Sequence, residues 1–164
     1  MEFIAWIEHS ALGVTVRESL WVYPTVLTLH AIGMSLLVGV NAMIDLRILG
    51  AAPRLPLAPM EKFLPIMILG FWINALSGFF LLIGSPTKML TDPVFYFKML
   101  CIALAVTTIV LIRREVFRGS SNVDTAPVGR HGRMLAGASL ALWALAITSG
   151  RLTAYTFFRF WNWR

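Results

Sequence analysis

Four stretches of this chain stay apolar for about as long as a bilayer is thick. A helix crossing the hydrocarbon core needs about 20 consecutive, mostly apolar residues. Residues 20–44, 63–83, 94–112 and 134–155 meet that condition. Turn-forming and polar residues punctuate them: Leu49-Gly50-Ala51-Ala52-Pro53 after the first run, Gly84-Ser85-Pro86 after the second, and the long polar stretch 113–133 after the third. The runs are continuous rather than alternating, which excludes the short strands of a β-barrel. The pattern therefore predicts an all-α integral membrane protein, a four-transmembrane-helix bundle over 18–164 with short loops. Ahead of it, residues 1–17 offer Phe3, Ile4, Trp6, Ile7, Ala11, Leu12 and Val14 as one apolar side, which predicts an N-terminal amphipathic helix lying in the membrane interface. The segment reads as uncleaved, because Glu2 and Glu8 stand where a signal peptide carries cations and the first positive residue is Arg17.

Composition sharpens the picture. Of 164 residues, 58% are apolar and 13% charged, against roughly 45–50% and about 25% in soluble domains. A water-soluble globule and a disordered tail are excluded, and a single cysteine, Cys101, excludes a disulfide scaffold. The net charge is +6, and its distribution carries the information. The first and third loops hold Arg47, Arg54, Lys62, Arg113, Arg114, Arg118, Arg130 and Arg133. The remaining cations are Arg17, Lys88, Lys98, Arg151, Arg159 and Arg164, eight against six. The positive-inside rule then places those two loops in the cytoplasm and both termini outside. Anionic lipid, rather than nucleic acid, is the partner that this charge implies. Trp6, Trp21, Trp161 and Trp163 are expected to form an aromatic belt at the outer interface.

No phosphate loop, dinucleotide fingerprint, HExxH or CxxC is present, so whether the protein is an enzyme stays open. The candidate chemistry lies in polar residues inside the spans, each costly in hydrocarbon and expected to face the bundle interior. At about 100° per residue, Tyr23, His30, Met34, Asn41 and Asp45 share one face of the first span. That face is either a polar seam aligning helices or a ligand or proton site centred on His30, close to mid-membrane. Asp45 and Arg47 are expected as anchors at the membrane end. In the second span Gly70, Asn74 and Gly78 recur at four-residue spacing, a close-packing surface whose amide matches His30 in depth; Ser77 lies one turn further out. Lys98 and Arg151 are cations at similar outer depth, placed either to hold an anionic cofactor group or to pair with Glu18 or Asp92.

These residues also carry a resemblance. Trp21-Val-Tyr-Pro24, His30-Ala-Ile-Gly33, Val38-Gly39 and Asp45-Leu-Arg-Ile-Leu-Gly50 resemble the opening of a family of small bacterial inner-membrane proteins, catalogued as a domain of unknown function. Ser77-Gly78 with Leu81-Leu82, Asp92-Pro-Val-Phe95 with Phe97-Lys98-Met99, and Ser149-Gly150-Arg151 with Ala154-Tyr155 extend it to the fourth span. The resemblance implies a four-span inner-membrane protein, with His30, Asp45, Arg47, Lys98 and Arg151 in the family pattern. It implies no activity. Relatives carry Asn and His late in the third span, where this chain has Thr107 and Thr108.

Three functions fit. A redox subunit would bind b-type haem or quinone through His30, with Met34, Asn74, Lys98 and Arg151 around it; a six-coordinate haem would take Met34, Met99 or the His30 of a second protomer, hence a homo-oligomer. An anchoring subunit of a larger membrane complex would use its polar residues for packing alone. A permease or metal-handling oligomer would bind a soft cation at His30 and Met34.

Overall fold

A computed structural model of the chain describes residues 2–51, 53–117 and 129–161, with the side chains at 3, 58, 116, 117 and 154–161 left undescribed. Among the described residues the secondary structure is helical throughout. Four helices are long and apolar enough to cross a membrane, over Val22–Leu49, Pro59–Gly84, Pro93–Glu115 and Arg130–Thr153. The protein is a multi-pass, all-α membrane bundle. Of the residues expected in the aromatic belt and the flanking charge, Arg118, Trp163 and Arg164 lie outside the described residues, as do the side chains of Tyr155, Arg159 and Trp161.

The N-terminal segment is two helices where the pattern predicts one. Helix α1 spans Glu2–Glu8 and α2 spans Ala11–Glu18. Ser10 makes the break: its Oγ accepts from the Gly13 N–H at 3.1 Å and donates to the Ile7 carbonyl at 2.6 Å, capping one helix and closing the other. Arg17 holds Glu8 at 3.5 Å and Glu18 at 3.2 Å, while Thr87 donates to the Glu8 carboxylate. Val16 is buried beside Gly84, where an added Cβ would lie 3.0 Å from it.

Helix α3, Val22–Leu49, runs five residues beyond its predicted end. It stops at Gly50, whose φ of +94° suits the left-handed closing position. The Gly50 and Ala51 amides return to the Arg47 and Leu46 carbonyls at 3.1 and 3.0 Å. A 3-10 turn over Ala58–Phe63 leads into α4, Leu64–Gly84, then α5, Pro86–Thr91. Helix α6, Pro93–Ile112, starts on the Asp92 carboxylate, which accepts from the Val94 N–H at 2.9 Å, with proline at its first position. One wide π-turn, Arg113–Phe117, follows, and α7, Arg130–Trp161, completes the bundle.

The packing order is α4–α3–α7–α6, an incomplete ring. Helix α3 packs along α4, α6 along α7, and α3 meets α7, whereas α4 and α6 scarcely touch. The α3–α4 contact is backbone-close: a Cβ at Gly33 would come 2.6 Å from the Asn74 nitrogen, and one at Gly70 would come 2.8 Å from the Leu37 nitrogen. Small residues in membrane helices permit this approach, where packing rather than hydrophobic burial drives association. Trp72 and Leu76 point outward, each 58% exposed, as lipid-facing side chains do. The missing α4–α6 contact leaves a crevice along the bundle. Two cavities open in it, of about 330 and 350 Å³, with Leu37 and Phe71 lining both.

Candidate functional site

The 330 Å³ cavity brings together four of the five expected site residues, His30 among them. Helix α3 supplies His30 and Met34, α4 supplies Asn74 and Gly78, α6 supplies Lys98, and α7 closes the wall with Trp143 and Ala146. All four long helices contribute, so only the assembled bundle makes the site.

His30 is clamped to α4 by a reciprocal pair of bonds. Its Nδ1 lies 3.0 Å from the Asn74 backbone carbonyl and 3.1 Å from Ser77 Oγ. Asn74 Nδ2 in turn donates to the His30 backbone carbonyl at 2.9 Å. A carbonyl can only accept, so this network assigns the hydrogen of the neutral imidazole to Nδ1. Ser77 agrees: its hydroxyl donates to the Ile73 carbonyl at 2.6 Å, leaving the oxygen to accept from Nδ1–H. Nε2 keeps its lone pair and makes no hydrogen bond among the described residues. A histidine whose second nitrogen is fixed in this way presents a defined acceptor or ligand atom.

Gly78 makes room for the ring. A Cβ there would come within 3.1 Å of His30 Cε1. The small residues of α4 therefore divide the work: Gly70 allows helix contact, and Gly78 allows an imidazole between the helices.

Lys98 is half-buried on the cavity wall, and its aliphatic stem lies against Gly150, where an added Cβ would sit 3.6 Å from Cε. Arg151 does not join it. That residue is exposed and outside the lining, because Gly150 occupies the register of α7 that faces Lys98 and the next residue is turned about 100° away. The expected pairing of two cations around one cofactor group is thus reduced to Lys98 alone.

Trp143 was not expected here; sequence reasoning counts tryptophans at interfaces. It is 4% exposed, lines the cavity, and its Nε1 has no hydrogen-bond partner among the described residues. The available signal was its position in mid-span, nine residues after the start of the predicted run, where an interfacial role is excluded. Ser77 was also legible, one turn from Asn74 on the same helix.

The rest of the α3 seam behaves differently. Tyr23 is exposed at 46%. Asn41 and Asp45 turn to α7 instead of α4: Asn41 Nδ2 donates to Asp45 Oδ2 at 2.6 Å and to Ser139 Oγ at 2.9 Å. Asp45 and Ser139 are wholly buried, and Asp45 Oδ1 lacks a partner among the described residues. Asp45 is therefore no interfacial anchor, because α3 extends past it to Leu49 and the cluster with Asn41 and Ser139 holds it inside the bundle. Arg47, two residues on, points to the loop and donates to the Leu55 carbonyl.

Among the described residues no group of three or more His, Cys, Asp or Glu could hold a metal ion. Comparison of the chain with protein-family models, with curated proteins and with solved structures finds no match.

Proposed function

We propose that the protein is a small membrane subunit of a redox system that binds a quinone headgroup in the His30 cavity. The observation that carries this reading is the set of unused hydrogen-bonding groups around one apolar space. His30 offers the acceptor Nε2 and Lys98 an N–H donor with no partner among the described residues. The quinol form of a flat ring bearing oxygen at opposite edges matches this set: one hydroxyl donates to the Nε2 acceptor, and the opposite oxygen accepts from a donor on the apolar wall. When bound, a quinone supplies two-electron, two-proton interconversion of its carbonyl and hydroxyl oxygens. The residues then have distinct tasks. His30 accepts a hydrogen bond or a proton at Nε2, and the Asn74 carbonyl holds the ring through Nδ1–H as charge develops. Lys98 donates to a ring oxygen, and Phe71, Met34 and Trp143 exclude water.

The same residues fit a b-type haem less well. The cavity has one histidine, and about 330 Å³ lies at the small end of ligand pockets, roughly 300–1,000 Å³; that suits one substituted ring rather than a tetrapyrrole. A soft cation fits less well again, because Lys98 places a positive charge in the same cavity as His30 and Met34.

The resemblance of the Trp21, His30 and Asp45 runs to small four-span bacterial proteins supports an inner-membrane location, and the cationic first and third loops support periplasmic termini. The electron partner is a second subunit, either another copy of this chain or a larger membrane complex.

The test is the purified protein in detergent, titrated with a short-chain quinone by tryptophan fluorescence and scanned in the visible before and after dithionite. The ring reduced to its quinol should bind in saturable fashion, and His30→Gln should weaken that binding at least tenfold with near-native melting. A Soret band with sharp reduced bands would replace quinone by haem. Absence of both would leave a packing histidine in an anchoring subunit.

A further inference from the structure

The second cavity, about 350 Å³, occupies the other half of the α4–α6 crevice, towards the arginine-rich end of the bundle. Its walls are apolar: Leu64, Met67 and Ile68 of α4 face Val106, Ile109 and Val110 of α6. Among the described residues the only polar lining comes from Arg113 and Arg114, directly after the last residue of α6.

Three observations indicate an occupant. First, α4 and α6 scarcely touch, so the crevice between them is open towards the membrane that the four spans require. Second, both arginines line this cavity, and the chain there is wound as a π-turn, a distortion frequent at functional sites. Third, neither guanidinium has an acidic partner among the described residues. Glu115, the acid of the same turn, lies against His131 at 3.6 Å. Arg47 and Arg133, in contrast, are spent on the Leu55 and Leu49 carbonyls. Two uncommitted cations at the membrane edge of an apolar slot match an amphiphile with an anionic head. Arginine binds phosphate oxygens in bidentate fashion, and basic pockets between spans recognise anionic headgroups.

We propose that this half of the crevice binds one anionic glycerophospholipid, its phosphate between Arg113 and Arg114 and an acyl chain between α4 and α6. The site is independent of the quinone reading: it shares only Leu37 and Phe71 with the His30 cavity, and they form the partition. The lipid fills the place of the missing α4–α6 contact and completes the ring of helices.

The experiment is native mass spectrometry of the intact protein released from detergent, with phosphatidylglycerol and phosphatidylethanolamine supplied in equal amounts. One phosphatidylglycerol should remain bound in preference to phosphatidylethanolamine. The double variant Arg113→Gln, Arg114→Gln should lower that preference at least tenfold, and Val106→Trp, which fills the slot, should lower occupancy by both lipids. Equal retention of the two lipids by the wild type would overturn the proposal, as would a preference that survives the double variant in monodisperse protein. If the double variant does not fold, Val106→Trp decides alone: lost occupancy supports the site and full occupancy removes it.

Discussion

Two polar clusters sit on the same face of α3, and they differ in what surrounds them. Towards the α1–α2 end, His30 meets Asn74 and Ser77 across the α3–α4 contact and borders open space with unused hydrogen-bonding capacity. Towards the other end, Asn41 and Asp45 meet Ser139 of α7 and line neither cavity. Burial ranks them in the opposite order, since Asp45 is fully buried and His30 only half so. Polarity and depth therefore do not separate a ligand site from a packing device inside a membrane bundle. Adjoining space does. A polar group packed on every side contributes to helix alignment, whereas one facing a cavity keeps capacity for a ligand.

Asp45→Ala tests the packing side and should have the largest effect. It strips Asn41 of its 2.6 Å partner inside the bundle, and leaving a buried amide donor short costs about 1–3 kcal/mol. Folded yield and melting temperature should fall, with quinone bound per folded molecule unchanged. If monodisperse Asp45→Ala protein lost its ligand, the distinction between the two clusters would be broken.

Trp143→Phe sharpens the cavity side. The indole N–H has no partner to lose among the described residues, so melting should shift by less than about 1 kcal/mol. Quinone affinity should drop several-fold, because the smaller ring gives up part of the cavity wall that the indole supplies. An affinity equal to that of wild type, read by direct binding of a radiolabelled quinone, would remove Trp143 from the site.

Arg151→Gln should do least. The side chain is exposed and apart from both cavities, and surface changes of this kind stay within about 0.5 kcal/mol. Quinone titration and melting should both match wild type. A tenfold loss of affinity would restore the cofactor role that its charge and depth suggest.

Much of the architecture is legible in the sequence because the membrane sets it locally. A bilayer demands about 20 apolar residues per span and leaves no backbone group unpaired, so run length alone yields the four helices. Gly50, Ser85-Pro86 and Asp92-Pro93 mark helix boundaries for equally local reasons: left-handed φ, a missing amide hydrogen and a side-chain cap. His30 with Asn74 was legible from matched depth on adjacent helices, and the structure brings them within hydrogen-bonding distance. What the sequence could not decide is lateral: which helix faces which. The order α4–α3–α7–α6 sends Asn41 and Asp45 to Ser139, places Trp143 on the cavity wall, turns Arg151 away and leaves the α4–α6 crevice open. Helical periodicity gives each residue an angle on its own helix, but the rotation and neighbours of that helix come from side-chain packing with the others. In lipid no water-avoiding core orients the apolar faces, since tails and leucines are alike. The close Gly33–Gly70 contact and the His30–Asn74 clamp set that orientation instead, and both exist only once α3 and α4 have met.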